Sequence, residues 1–399
     1  MIPFLLSLIP RVAYFLFLSD AKVAPLPGSN YYWDLSENLK STAFEPLYPV
    51  LLAISRWATW DYFPAVILIQ IALASLGALY FHKLCLLLSA EKSVAWTGAA
   101  LYSFYPYAVR QSSSVIEIPA FTTLLVLCAY FYCRAEKAGG FPAAGLAFGL
   151  VLLMRMAALP LFFLAALFLL LKRRFLRALL FIMPALILVT PYLIRNYALG
   201  GSVFPSRGGL NLFEGNCGHT DKVLPAYCID LLNPYAHELL KRERPDLSLQ
   251  DERAVDRFYT EKAIEFARAN PLRFLKLKLL NLVYFFHPRI VPFYPMRSGA
   301  RLEFTEEGKA RAEGLRPRPK LHEAIHSATY GFIFFTAIFG LYFRRRELFK
   351  QDAVLQFITL GFVLVYSLYF PSTRLRAPMD FVLMFYSAVA LNRWIPRPV

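Results

Sequence analysis

Four groups of polar residues in this 399-residue chain have the types and spacing to do chemistry. The first is acidic. Residues 19–45 read SDAKVAPLPGSNYYWDLSENLKSTAFE, with Asp20, Asp34, Glu37 and Glu45. A carboxylate in such a stretch can take the proton of an attacking hydroxyl. The second is Glu117, which closes RQSSSVIE and opens an apolar run. There a carboxylate suits the positive end of a helix dipole, or simply caps the helix. The third, TPYLIRNYALGGSVFPSRGGLNLFEGN, sets Arg195 and Asn196 beside Gly200, Gly201, Gly208 and Gly209, with Asn211 and Asn216 following. A guanidinium, amide donors and glycine-permitted turns are the materials of a phosphate or sugar cradle. The fourth, PSTRLRAPMD, carries Arg374 and Arg376, which could bind a lipid phosphate or anchor to headgroups.

Other patterns compete with these. His322-Glu323-Ala-Ile-His326 fits H-E-x-x-H, in which two imidazoles on one helix face hold zinc and the Glu acts as base of a metalloprotease. The downstream acids Glu347, Asp352 and Asp380 fall in connections on opposite membrane faces, so a third ligand is missing and a polar start to an apolar helix is the simpler reading. Cys217 and Cys228 share a long polar interval on the oxidising side, where a disulfide between them is expected. Cys85, Cys128 and Cys133 sit in or beside apolar runs as inert thiols. There is no Walker loop, no G-x-G-x-x-G and no Ser-His-Asp spacing.

The elements that must position these residues follow from composition. Hydrophobic residues make up 57% and charged residues 18%, against about 45–50% and about 25% in soluble domains. Disordered, collagen-like and disulfide-framework proteins are excluded. A bilayer is crossed by about 17–25 apolar residues. Ten runs answer to that description or to a shortened form of it: 1–18, 62–81, 94–109, 118–132, 142–154, 157–171, 178–194, 328–343, 353–370 and 377–391. The fifth and sixth form one overlong run, broken by a turn between Arg155 and Pro160. Basic connections at 83–92, 134–137, KRRFLR, RRRELFK and the tail 393–397 orient toward the cytoplasm, with both termini there. The net charge of +16 is therefore an orientation signal, not a nucleic-acid surface. PLRFLKLKLLNLVYFF (271–286) reads as an amphipathic helix lying in the outer leaflet, and 249–270 as a surface helix.

The fold expected is an all-α, polytopic integral membrane protein of about ten transmembrane helices, with periplasmic loops and interfacial helices. Residues 1–199 form an N-terminal transmembrane core with the first outer loop. Residues 200–326 form a large outer loop, and residues 327–399 the C-terminal transmembrane helices. A lipid or sugar transporter is the third class considered. It would want midplane charges beyond Arg11 and Arg155, and an internal repeat.

Taken in order, YYWDLSENL, FEPLYPVLLA, IEIPAFTTLL, TPYLIRNYALGG…GGLNLFEGN and TRLRAPMDF resemble the GT-C superfamily of lipid-sugar-dependent glycosyltransferases. The likeness is nearest to bacterial relatives of protein O-mannosyltransferases and aminoarabinose transferases. It spans most of the chain. It implies an enzyme of the bacterial inner membrane whose active site faces the periplasm. Such an enzyme moves a sugar from a polyprenyl-phosphate carrier to an acceptor hydroxyl on a lipid, glycan or protein. It implies a first-loop carboxylate as general base and basic residues that stabilise the departing lipid phosphate. On these positions Asp34 is the expected base, Glu117 the second carboxylate, and Arg195, Asn196, Asn211, Asn216, Arg374 and Arg376 the donor contacts. Relatives place an acid just before the Tyr-rich stretch, where this chain reads PGSNYYW with Asn30, so Asp20 is the other candidate base. No metal is required on this reading; Mg or Mn bridging Asp34 or Asp20 to Glu117 would match the metal-using members. Partners are the lipid-linked donor, the acceptor and membrane lipids, with no nucleic acid.

Overall fold

The computed structural model describes residues 1–19, 30–37, 39, 41–248, 251–295, 299–304, 310–315 and 317–394. These are almost wholly helical, with one two-stranded hairpin. The chain opens with α1 (Ile2–Leu18), α2 (Asn30–Glu37), α3 (Leu47–Ala58) and α4 (Phe63–Ser89). It continues through α5 (Lys92–Phe104), α6 (Pro106–Gln111), α7 (Ile118–Ala138), α8 (Phe141–Met154), α9 (Leu159–Leu171) and α10 (Phe175–Gly200). Among the described residues, α4, α7, α10 and the later α16 (Lys320–Phe343) are long and apolar enough to cross a membrane. Helices α1, α3 and α8, the segment Met156–Leu171 and a later helix, Ala353–Leu368, are apolar but shorter.

Two breaks in the apolar runs have physical causes. The run 94–109 is not one helix: Pro106 lacks the N–H that the Tyr102 carbonyl would accept, so α5 stops and α6 starts anew. The freed carbonyls of Tyr102 and Ser103 are met by the buried Arg11, whose Nη2 and Nη1 donate to them at 3.5 and 3.2 Å. The deep arginine of α1 is thus a cap for a broken helix. The run 142–171 breaks where expected. Helix α8 ends at Met154, Arg155 is extended (φ −161°, ψ 110°), and α9 restarts with Pro160 in its first turn.

Beyond α10 the chain leaves the main core and builds a lobe from α11 (Gly208–Glu214), α12 (Thr220–Val223), α13 (Asn233–Glu243) and α14 (Glu252–Ala269). Phe213, Val223, Leu232, Leu240, Tyr259 and Ala263 give this lobe its own apolar core. Helix α15 (Pro271–Phe285) and the antiparallel pair β1 (Arg301–Phe304) and β2 (Ala310–Glu313) follow. The chain then returns through α16, α17 (Ala353–Leu368), the short α18 (Thr373–Arg376) and α19 (Asp380–Trp394). The last apolar run, 377–391, is helical only from Asp380, because a turn of 3-10 helix holds Ala377–Met379.

The connections between helices gather at two ends. At one, Arg344 grips Asp352 through Nε and Nη2, both at 2.6 Å, and donates to the Leu88 carbonyl at 3.3 Å. Arg174 pairs with Glu136 there, and Lys137 with the Leu87 carbonyl. At the other end lie the connections around Glu45, Glu117, Arg155 and Arg374. The disulfide expected between Cys217 and Cys228 is not formed. Cys217 packs on Thr220, and the Cys228 thiol donates to Asp230 Oδ2 at 3.3 Å.

Candidate active site

Glu117 is the centre of the second end. It stands at the N-terminal cap of α7, where Pro119 fits the first turn and the Phe121 N–H donates to its carbonyl at 2.8 Å. The loop before it is held by Gln70 of α4, whose Nε2 donates to the carbonyls of Ser112 and Ser114 at 2.9 and 2.7 Å. The Glu117 side chain is only 3% exposed. Its Oε1 accepts from Arg155 Nη1 at 2.7 Å, and Arg374 Nη2 lies 3.9 Å from the same oxygen. The Tyr32 hydroxyl of α2 faces this carboxylate as well. Burial alone would lift the Glu117 carboxyl, but Arg374 and Arg155 overcome it and hold the group below its ordinary value.

The helix break at Arg155 serves two carboxylates at once. Its side chain meets Glu117, and the following backbone N–H, of Met156, donates to Glu45 Oε1 at 2.7 Å. Glu45 sits just before α3 in a loop fastened by Tyr192, whose hydroxyl donates to the Phe44 carbonyl at 3.3 Å, and by the Ser206 N–H, which donates to the Thr42 carbonyl. Burial pushes the Glu45 carboxyl above its ordinary value, against the pull of Arg155 and the Met156 N–H. The two carboxyls are thus driven apart, Glu117 below its ordinary value and Glu45 above it. That is the pattern expected of groups with different acid–base tasks.

The chain matches no known protein family, no curated protein and no solved structure.

Of the residues read from sequence, the structure brings Glu117 and Arg374 together. Asp34 is exposed on α2, two residues from Tyr32 and so about 200° around the helix from the face that meets Glu117. Asp20 lies outside the described residues. Arg195 donates to Asn196 Oδ1 at 3.0 Å and to the Leu39 carbonyl, and Asn196 is fully buried. The second pair of glycines starts α11, and Gly209 packs so closely on the Asp256 carbonyl of α14 that no Cβ would fit. Asn211 is half-buried on α11. Asn216 is buried and donates to the carbonyls of Leu212 and Leu368 at 2.7 and 3.0 Å. Arg376 is also buried. It pairs with Asp380 at 3.1 Å, donates to the Phe285 and His287 carbonyls, and lies 3.5 Å over the Tyr330 ring.

The H-E-x-x-H residues have other work. Glu323 pairs with Arg289, His322 is exposed, and His326 packs against the rings of Tyr107 and Tyr330. Among the described residues, no three His, Cys, Asp or Glu side chains converge as a metal-binding group.

Arg155, Glu45 and Tyr32 join the site without having been singled out for it. The signal for Arg155 was present: an arginine at the break of an apolar run needs a partner. Glu45 was one acid among four in its loop, and nothing in the spacing separated it from the rest.

Proposed function

We propose that the chain is a GT-C-like membrane glycosyltransferase, moving a sugar from a polyprenyl-phosphate carrier to an acceptor hydroxyl at the outer face of a bacterial inner membrane. The observation that carries this reading is the polar cluster around Glu117. Arg155 holds the buried carboxylate at 2.7 Å, while Arg374 stands 3.9 Å from it and is 47% exposed. An anionic leaving group fits a guanidinium so loosely engaged.

The topology supports the same reading. With ten crossings (α1, α4, α5, α7, α8, α9, α10, α16, α17 and α19) and a cytoplasmic N-terminus, the connections bearing Glu45, Glu117, Arg155 and Arg374 all fall outside. The basic connections around Lys137, Arg174 and Arg344 fall inside. Helix α15 does not cross. Between Lys278 and Phe285, about 10 Å of its axis, its partners on α17 shift only from Leu368 to Tyr366, so it lies across the end of that helix. Leu272, Leu275, Leu279 and Val283 are exposed along it, as suits a helix seated in the lipid interface.

In the reaction, the acceptor oxygen attacks the anomeric carbon as the bond from that carbon to the phosphate oxygen breaks. Glu45 takes the hydroxyl proton, and polyprenyl phosphate leaves with its charge facing Arg374 and Arg155. Glu117 keeps the two guanidiniums in place. Glu45 replaces Asp34 as the base, because its carboxyl is fixed at 2.7 Å on the Met156 N–H, next in the chain to the arginine that holds Glu117, whereas Asp34 is exposed. Turnover of synthetic polyprenyl-phosphate sugars by the purified protein in detergent tests this. Release of polyprenyl phosphate that depends on Glu117 supports the assignment, and release unaffected by Glu117→Gln refutes it. Micelles have no sides, so a transporter gives no signal in this assay.

A further inference from the structure

Arg374 hangs from a short connection, 369–376, that is gripped from outside the Glu117 cluster. Of the three buried residues of α15, Leu277, Asn281 and Phe285, only Asn281 is polar. Its Nδ2 donates to the carbonyls of Ser367 and Tyr369 at 3.0 and 3.4 Å. One turn earlier, Lys278 Nζ donates to the Leu368 carbonyl at 2.7 Å. From the lobe, Asn216 adds a second donor to Leu368, and Gly215 packs against the Tyr369 carbonyl too closely for any Cβ. The last carbonyls of a helix have no partners of their own, so these side chains complete the end of α17. A buried amide in an apolar helix is costly unless bonded in this way.

The grip continues past α15. The Val291 N–H donates to Thr373 Oγ1 at 2.9 Å, and its carbonyl accepts from the Thr373 N–H at 2.9 Å and from Ser372 Oγ at 3.2 Å. Three residues after Thr373, Arg376 reaches back to the Phe285 and His287 carbonyls at 3.3 and 3.1 Å. Residues 278–291 therefore hold the backbone on both sides of Arg374.

We propose that this segment is a positioning collar: Lys278 and Asn281 fix the end of α17 and Val291 fixes the turn at Thr373, so that the Arg374 guanidinium is presented beside Glu117 to the donor phosphate. The collar acts through Arg374, and its role rests on reading Arg374 as a phosphate contact.

A double-mutant cycle on the full-length protein in detergent tests it, with Asn281→Ala and Arg374→Ala as the single variants. The readout is the Kd for a sugar-free polyprenyl monophosphate. Asn281→Ala alone is expected to weaken binding about tenfold, and to add nothing once Arg374 is gone. Equal weakening in both backgrounds, or none in the wild-type background, overturns the collar while leaving Arg374 as a contact. If Arg374→Ala itself leaves Kd unchanged, the phosphate reading falls and the collar with it. Thr373→Val, which loosens the turn from the other side, replaces Asn281→Ala in the same cycle if that variant does not fold.

Discussion

Two arginines on one short turn have opposite circumstances. Arg376 is closed in: Asp380, two backbone carbonyls and the Tyr330 ring take up its guanidinium, and Asp380 is completed by the Tyr105 hydroxyl at 3.0 Å. Arg374 is half open and stands 3.9 Å from a carboxylate that Arg155 already holds at 2.7 Å. The first arrangement is enclosed and its charge is paired at 3.1 Å, so it belongs to the fold. The second is loosely paired and keeps an accessible face, so it is free to meet a ligand. Residue type and spacing are the same for both; only the three-dimensional partners separate them.

Substitutions at the two arginines should therefore fail in different ways. Arg376→Ala leaves Asp380 buried and unpaired, which costs about 3–5 kcal/mol. The expected outcome is a sharply lower thermal midpoint in detergent, and an unchanged midpoint would erase the contrast. Glu45→Gln is next, expected to cut kcat by about 10²–10⁴-fold with the fold intact, the range of a lost general base. The pH profile sharpens this prediction. Because burial raises the Glu45 carboxyl, wild-type activity should climb with pH through a value above that of an ordinary glutamate. That acid limb should vanish in Glu45→Gln.

Smaller effects come from the exposed side chains. Arg374→Ala is expected to raise the donor KM, with a smaller loss of stability than Arg376→Ala because Arg155 still holds Glu117 at 2.7 Å. A fall in stability to match Arg376→Ala would place both arginines in the fold. Asp34→Ala should leave turnover within about twofold, as for a surface position. A large loss there would return the base to α2.

Much of the scaffold was legible in the sequence because it is local. Apolar runs marked the helices, the Arg155–Pro160 break lay where composition put it, and the amphipathic pattern of 271–286 announced α15. The site was legible only in part, because its contacts are long-range. Glu117 and Arg155 are separated by a helical hairpin, and Met156 meets Glu45 from more than a hundred residues away. Arg11 was marked as a deep charge, but its partner was a carbonyl freed by Pro106 on another helix. Gly209 and Gly215 of GGLNLFEGN are sites of close packing against the Asp256 and Tyr369 carbonyls, a feature that no single chain segment carries.

Binding of a sugar-free polyprenyl monophosphate to the purified protein tests the central claim most directly, because it needs neither the sugar nor the acceptor to be known. Wild type should bind saturably, Arg374→Ala about tenfold more weakly, in keeping with the loss of one charge-assisted contact, and the charge-reversed Arg374→Glu not measurably. Equal binding by all three would contradict the assignment of the Glu117–Arg374 cluster as the place where the donor phosphate sits.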